Sequence, residues 1–262
     1  MDFLQSLILG IVQGLTEFLP VSSSGHLEIG HALLGVKGDS NLAFVITVHL
    51  ATVLSTVVVF WKDIVSLLAA FFSFRWNEKM RYVCLLIVSG IPVIIVGLLF
   101  KDEVESLFTG DLMFVGIMLI VTAVLLTLSS FVKPKDKPLG WKDSFIIGIA
   151  QAVAVLPGIS RSGSTIATGL LLGKKREEMA RFSFLMALVP IVGANIIEFI
   201  EGSGNSAIGQ SIGIMPLAVG FIAAFLSGLF ACKVMINIVK KGKLIYFAGY
   251  CLIVGLLAIF VI

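Results

Sequence analysis

Long apolar runs dominate the chain and alternate with short polar stretches. Six of these runs are about 20 residues long, the length that an α-helix needs to cross a hydrocarbon layer of ~30 Å. They hold few charged residues. The pattern therefore predicts six spanning helices, at residues 41–60, 82–100, 112–132, 182–200, 212–232 and 244–262.

Two further apolar segments are broken by polar turns and repeat each other. Residues 9–35 align without a gap with residues 147–173, so that Gln13 matches Gln151. In each copy two short apolar stretches flank a turn rich in proline, serine and glycine. Such a helix–loop–helix is too short to span twice, but it can enter and leave a membrane on one side if protein or a water-filled cavity surrounds the turn. The sequence predicts two re-entrant segments.

Composition then decides the class of protein. Apolar residues make up 58% of the chain and charged residues 13%, which is too little polar surface to cover a soluble globule of this length. The cysteines show no metal-ligand or CxxC spacing, so we expect no disulfide. We expect an all-α polytopic membrane protein that embeds in a lipid bilayer and binds no nucleic acid. The three cysteines are Cys84, Cys232 and Cys251.

The distribution of charge predicts the topology. Basic residues cluster in four loops, which are expected to be cytoplasmic, whereas residues 101–111 and 198–211 are mainly acidic and are expected outside. Each spanning helix of residues 1–132 then runs opposite to its counterpart in residues 141–262, so the halves form an inverted-topology repeat within a single membrane domain, residues 1–262. The basic residues are Lys62, Arg75, Lys79 and Arg81; Lys133, Lys135, Lys137 and Lys142; Lys174, Lys175, Arg176 and Arg181; and Lys233, Lys240, Lys241 and Lys243.

The two turns carry different polar side chains. Gln13 and Glu17 are four residues apart and share one helix face, whereas in the second copy Val155 replaces Glu17 and Arg161 replaces Ser23. An acid and a histidine from one half, with a cation from the other, could hold an anionic, oxygen-rich group, alone or with a divalent metal. Ionisable residues at this depth are functional by default. His31 and His49 are interpreted as packing or interfacial residues, and the run Lys174-Lys175-Arg176 as a topology signal.

At these residues the chain resembles the undecaprenyl-diphosphate phosphatase family of bacterial membranes, also called the bacitracin-resistance phosphatases. Gln13-x-x-x-Glu17 matches the family motif (E/Q)xxxE, and residues 157–165, PGISRSGST, match the motif PGxSRSxxT. The turn LPVSSSGH carries the family histidine at His26. The resemblance covers essentially the whole chain. Gln13 stands where many members have a carboxylate, which leaves one acid rather than two for a metal.

The resemblance implies hydrolysis of undecaprenyl diphosphate to undecaprenyl phosphate and inorganic phosphate, which recycles the lipid carrier of cell-wall synthesis. It also implies a bacterial plasma-membrane enzyme whose site opens to the outer side. Glu17 and Gln13 would position Mg²⁺ or Ca²⁺, and Arg161 would neutralise the transferring phosphoryl group. The nucleophile is Ser23, His26 or water, and a homodimer is compatible with the sequence. The expected substrate-binding residues are Gln13, Ser22, Ser24, Ser160, Ser162, Gly163 and Thr165.

Two other functions are considered. Inverted repeats with broken helices are also typical of secondary transporters, so the alternative is a transporter or flippase of a phosphorylated polyprenyl lipid. The acid-phosphatase type of lipid phosphatase is set aside, because its nucleophilic histidine would fall at Ala167.

Overall fold

The computed structural model describes residues 1–36, 40–108, 110–133, 135, 137–202 and 213–261, and within these ranges it is helical, with no strand. The all-α prediction is confirmed. The helices are α1 (Phe3–Phe18), α2 (Ser23–Leu34), α3 (Ser40–Val59), α4 (Trp61–Phe72), α5 (Glu78–Leu99), α6 (Lys101–Glu105), α7 (Leu112–Ser130), α8 (Trp141–Val153), α9 (Arg161–Leu171), α10 (Arg176–Gly202), α11 (Ile214–Lys240) and α12 (Leu244–Phe260).

Three of these helices, α5, α7 and α11, are long and apolar enough to cross a membrane. The pair α3 and α4 makes a fourth candidate span if it is counted as one, although it bends by 80°. Helices α1 and α12 are apolar but shorter, with 16 and 17 residues. The predicted span 182–200 falls in α10, where several side chains lie outside the described residues. The described part of the chain thus has three or four candidate spans, and the six predicted spans stay a prediction.

The first group of basic residues, which begins at Lys62, was predicted to lie in a loop. This prediction is wrong in part. The segment contains α4, which begins at Trp61 directly after α3 and exposes Trp61, Leu68 and Phe72 on one side. The 12 residues of α4 are too few to span a membrane. The charged residues Lys62 and Asp63 at the start of α4 obscure its helical pattern in the sequence. Such an amphipathic helix, turned away from a spanning one, is typical of a segment that lies at a membrane surface.

The remaining loops differ from prediction in their lengths. Helix α11 continues to Lys240, so two residues placed in the last loop, Lys233 and Lys240, are helical.

Lys174 is more than a topology signal: it is 3% exposed and donates to Asp143 Oδ2 at 2.5 Å and to the carbonyl of Pro138 at 3.0 Å. The predicted outer stretch 198–211 lies mostly outside the described residues. All three cysteines are free, as predicted.

Small residues allow the helices to approach closely, as is common where helices pack in membranes. A methyl group at Gly10 of α1 would lie 2.5 Å from the carbonyl oxygen of Gly220 on α11. Gly116 of α7 and Gly255 of α12 face each other in the same way. A methyl group at Gly116 would lie 2.6 Å from the carbonyl oxygen of Gly255, and one at Gly255 would lie 2.7 Å from the carbonyl oxygen of Gly116. Helix α8 packs against α5 through Gly148. These contacts bring the ends of α1 and α8, and the turns that follow them, into the interior.

Candidate active site

The two repeated turns meet inside the molecule. The hydroxyl of Ser162, at the start of α9, donates to the carbonyl of Leu19 in the first turn at 3.1 Å. A methyl group at Gly25 would lie 3.1 Å from the Cα of Gly158 in the second turn. The helices α2 and α9 therefore begin side by side, and the positive ends of their dipoles give the region a positive electrostatic potential.

The first turn is shaped by serines. Ser22 has a φ of 69°, which is uncommon for a residue other than glycine, and its hydroxyl caps α2 by accepting from the N–H of Gly25 at 3.3 Å. The hydroxyl of Ser24 lies 3.3 Å from that of Ser22. The hydroxyls of Ser22 and Ser24 stabilise the turn, whereas the hydroxyl of Ser23 is directed at Glu17.

The second turn is held by its own serine and by α7. Ser160 caps α9 by accepting from the N–H of Gly163 at 3.0 Å, and its hydroxyl lies 3.4 Å from that of Ser162. The hydroxyl of Thr122 on α7 accepts from the N–H of Ser160 at 3.0 Å and donates to the carbonyl of Gly158 at 3.2 Å. Gly158 has a φ of 95°, a conformation that only glycine adopts easily.

Glu17 lies where the two halves join. Its side chain is 6% exposed. One carboxylate oxygen, Oε2, accepts from the hydroxyl of Ser23 at 2.6 Å and from Gln13 Nε2 at 3.0 Å. The other, Oε1, pairs with Nη2 of Arg161 from the second half. A buried carboxylate needs such partners, because an isolated charge would be costly at this depth.

Within the described part of the chain, the guanidinium of Arg161 pairs only with Glu17, and a quarter of its side chain is exposed. Its planar guanidinium carries five N–H donors in a fork that matches phosphate oxygens. The pair therefore leaves donors for a second anion.

His26 has a different set of partners from Glu17. Its Nδ1 is 2.8 Å from the carbonyl of Ser22, and its Nε2 is 2.8 Å from the hydroxyl of Tyr250 on α12. Both ring nitrogens are thus engaged, and neither contacts Ser23 or Glu17 among the described contacts.

Thr165 and two residues outside the motifs complete the surroundings. The hydroxyl of Thr165 lies 2.6 Å from that of Ser183 on α10, so it joins α9 to α10 rather than facing Glu17. His49 on α3, interpreted from sequence as a packing residue, has its Nε2 3.9 Å from Glu17 Oε2 and its Nδ1 2.8 Å from the carbonyl of Val45. No local motif surrounds His49 or Ser183, so only the tertiary structure could identify them.

A narrow cleft opens beside this pair. Glu17, Arg161 and Ser162 line it on one side, and Thr52 of α3 and Ser183 of α10 contribute further hydroxyls. Its remaining lining is mostly apolar, from Phe18, Val53, Phe184, Ala187, Leu188 and Ile191. A polar end and an apolar wall are what an amphiphilic ligand requires.

The oxygen atoms of Gln13 and Glu17 fit a divalent cation. Gln13 is fully buried, and its Oε1 has no hydrogen-bond partner among the described residues. That oxygen and the Glu17 carboxylate are hard ligands of the kind that Mg²⁺ and Ca²⁺ prefer. No group of three or more His, Cys, Asp or Glu side chains suitable for a metal occurs in the described ranges. Two protein ligands fit a cation whose other ligands come from substrate phosphates and water.

The chain is similar to a large group of curated proteins. Its residues 6–257 match the model of the family described as bacitracin resistance protein BacA. It is 56% identical to a protein of Bacteroides fragilis over 262 residues, which is 100% of this chain and 98% of the relative. It is 55% identical to one of Bacteroides thetaiotaomicron, with 99% and 98% covered, and 41% identical to one of Methanosphaera stadtmanae, with the same coverage.

Each of these relatives bears the name undecaprenyl-diphosphatase. The match extends over both turns and over every helix that positions them. The chain belongs to the bacitracin resistance protein BacA family.

Proposed function

We propose that the protein is a membrane phosphatase that hydrolyses undecaprenyl diphosphate to undecaprenyl phosphate and inorganic phosphate. The observation that carries this proposal is the contact of Ser23, Glu17 and Arg161 across the two halves. A hydroxyl beside a carboxylate, with a guanidinium next to both, has the parts that phosphoryl transfer needs. The names of the full-length relatives agree with it.

Ser23 is the nucleophile in this proposal, and Glu17 is its base. The distance of 2.6 Å between Ser23 Oγ and Glu17 Oε2 allows direct proton transfer. Ser23 Oγ bonds to the terminal phosphorus, the bond from that phosphorus to the bridging oxygen breaks, and the lipid monophosphate leaves with the electron pair. Glu17 takes the hydroxyl proton. Glu17 passes this proton to the leaving lipid phosphate and is again a base. Water then gives a proton to Glu17 and its oxygen bonds to the phosphorus of phosphoserine. The bond from that phosphorus to Ser23 Oγ breaks, Glu17 returns its proton to Oγ, and inorganic phosphate leaves.

His26 is a weaker candidate for either role, because its ring nitrogens are occupied by the Ser22 carbonyl and the Tyr250 hydroxyl. A base must come within hydrogen-bond reach of the proton that it removes. Glu17 accepts directly from the Ser23 hydroxyl, whereas the described hydrogen bonds of His26 go to Ser22 and Tyr250.

Arg161 stabilises the transferring phosphoryl group. Its fork matches two phosphoryl oxygens, and charge on these oxygens must be neutralised in the transition state. When Arg161 exchanges part of its contact with Glu17 for the diphosphate, the Glu17 carboxylate becomes free to act as a base.

The N–H groups at the starts of α2 and α9 add donors in the same place. We therefore propose that the caps Ser22, Ser24, Ser160 and Ser162, with Gly163, shape the phosphate site, and that Thr165 braces it through Ser183.

Glu17 and Gln13 would hold Mg²⁺ or Ca²⁺ against the diphosphate. A bound cation supplies charge neutralisation for phosphoryl oxygens. The unpartnered Oε1 of Gln13 supports this assignment.

We further propose that the two halves, 1–132 and 141–262, form an inverted repeat with six spans and two re-entrant segments. Equivalent helices have equivalent neighbours: α1 packs on α11 as α8 packs on α5, and α7 and α12 pack on each other. The α1 segment would then enter from the outer side of the bacterial plasma membrane, so that the site receives the diphosphate there and the polyprenyl tail from the bilayer.

The test is phosphate release from a polyprenyl diphosphate by detergent-purified protein, with and without a chelator, beside Ser23→Ala and Glu17→Gln. We expect cation-dependent release that both substitutions abolish. Lipid binding without release by folded wild-type protein would contradict the proposal and favour the transporter. A Ser23→Ala variant with wild-type turnover would instead contradict the role of Ser23 and leave water as the nucleophile.

A further inference from the structure

The imidazole of His26 is held from two directions. The Ser22 carbonyl lies 2.8 Å from Nδ1, and the Tyr250 hydroxyl lies 2.8 Å from Nε2. The rings of His26 and Tyr250 also stack, with their centroids 5.5 Å apart and their planes 9° from parallel. Tyr250 belongs to α12, in the half of the chain opposite to His26.

These contacts determine the tautomer of the neutral imidazole. A carbonyl oxygen can only accept, so Nδ1 must carry the hydrogen and donate it to Ser22. A neutral imidazole has a single N–H, so Nε2 is an acceptor and the Tyr250 hydroxyl donates to it. The hydrogen bond made by one ring nitrogen sets the state of the other.

The Ser22 carbonyl matters because of its place in the backbone. Ser22 has a φ of 69°, a conformation that is uncommon for serine and must be held by its surroundings. Ser23 follows it, and its hydroxyl reaches Glu17 at 2.6 Å. A small rotation at Ser22 would move that hydroxyl away from the carboxylate.

We propose that Tyr250 is a positioning residue of the phosphatase reaction. It fixes His26 as the Nδ1–H tautomer, His26 holds the Ser22 carbonyl, and the turn so held places the Ser23 hydroxyl on Glu17. The role of His26 is then to support the nucleophile's backbone. The kinetic part of this inference rests on the proposed function; the tautomer does not.

The first test uses wild-type protein labelled with ¹⁵N in histidine. The signals of His26 are assigned by their loss in His26→Gln. We expect a protonated Nδ1 and an unprotonated, hydrogen-bonded Nε2. A predominant Nε2–H tautomer would overturn the proposal, whatever the activity of the protein.

The second test is Tyr250→Phe, which keeps the stacked ring and removes the hydroxyl. We expect kcat to fall about tenfold, the effect of one lost hydrogen bond, with little change in KM and a mixed tautomer at His26. The matched control is Tyr246→Phe, four residues earlier on α12 and 70% exposed, which should behave as wild type. A Tyr250→Phe variant with wild-type kcat would refute the positioning role. Absence of phosphate release from wild type would instead refute the proposed function, and the tautomer would still be measured.

Discussion

The two turns share a serine helix cap and differ in chemistry. Each ends at a serine that caps the following helix, Ser22 for α2 and Ser160 for α9. The residue after the cap is Ser23 in the first turn and Arg161 in the second. The position after the serine cap therefore presents a nucleophile from one half and a phosphate-binding cation from the other, and neither half has both.

Gln13 and Gln151, on the helices that precede the two turns, also differ in their surroundings. Gln13 is bonded to Glu17 at 3.0 Å. Its counterpart Gln151 is 1% exposed, and both of its amide atoms lack a hydrogen-bond partner among the described residues. Val155 occupies the position that Glu17 has in the first copy, so the second glutamine has no acid to bind. Both halves keep the glutamine, and only the first half has an acid beside it.

Removing the acid should have the largest effect. Glu17→Gln keeps the size of the side chain but removes the base for Ser23, so we expect kcat to fall about 10³-fold. Phosphate release under saturating substrate measures it. The control is Glu177→Gln, whose side chain is 67% exposed and should leave kcat unchanged. Equal rates for the two variants would contradict the role of Glu17.

Replacing Arg161, the cation of the second turn, should have the second-largest effect. Arg161→Lys retains the charge but loses the planar fork, so we expect kcat/KM to fall about 100-fold. Arg181→Lys is the matched change at an exposed pair with Asp63, and it should have no effect. If both variants turn over like wild type, the fork of Arg161 has no role in the transition state.

The backbone of the second turn can be tested through stability. In Gly158→Ala the new methyl would lie 2.5 Å from the carbonyl of Val115, at a φ of 95°. We expect a loss of about 3 kcal/mol in the free energy of unfolding from strain and overpacking. Thermal unfolding in detergent gives the shift. Gly249→Ala, where nothing lies within 4 Å, should leave the melting temperature nearly unchanged, and similar shifts for both would argue against a strained turn.

The glutamine pair gives the smallest expected effect. Gln13→Leu should lower kcat/KM about tenfold, because it removes a hydrogen bond to Glu17 and an oxygen for the cation. Gln151→Leu should keep full activity and equal or greater stability, since it replaces an unpartnered buried amide. Kinetics at varied Mg²⁺ concentration would separate the two. Loss of activity in Gln151→Leu alone would reverse the assignment of roles.

The local parts of this fold could be predicted from sequence, and the contacts between distant helices could not. The positions of proline, serine and glycine predicted the breaks after α1 and α8, because these residues act on the chain beside them. The pattern did not predict α4, since Lys62 and Asp63 obscured a short amphipathic period.

Within the site, the motifs identified Glu17, Ser23 and Arg161, which the structure brings together. They also suggested His26 as a catalytic group, but its contacts with Ser22 and Tyr250 depend on how α12 packs. His49 and Thr122 come from α3 and α7 and carry no sequence signal of their own. Residues that reach a site from a distant helix are visible only once the packing is known.

The most direct test of a single site built from both halves is a double-mutant cycle on Glu17→Gln and Arg161→Gln, with kcat/KM for phosphate release as the readout. If the two residues act together on one phosphoryl group, the double variant will be little slower than the slower single variant. If the losses multiply in full, the two residues act independently, and the account of a joint site across the two turns is wrong.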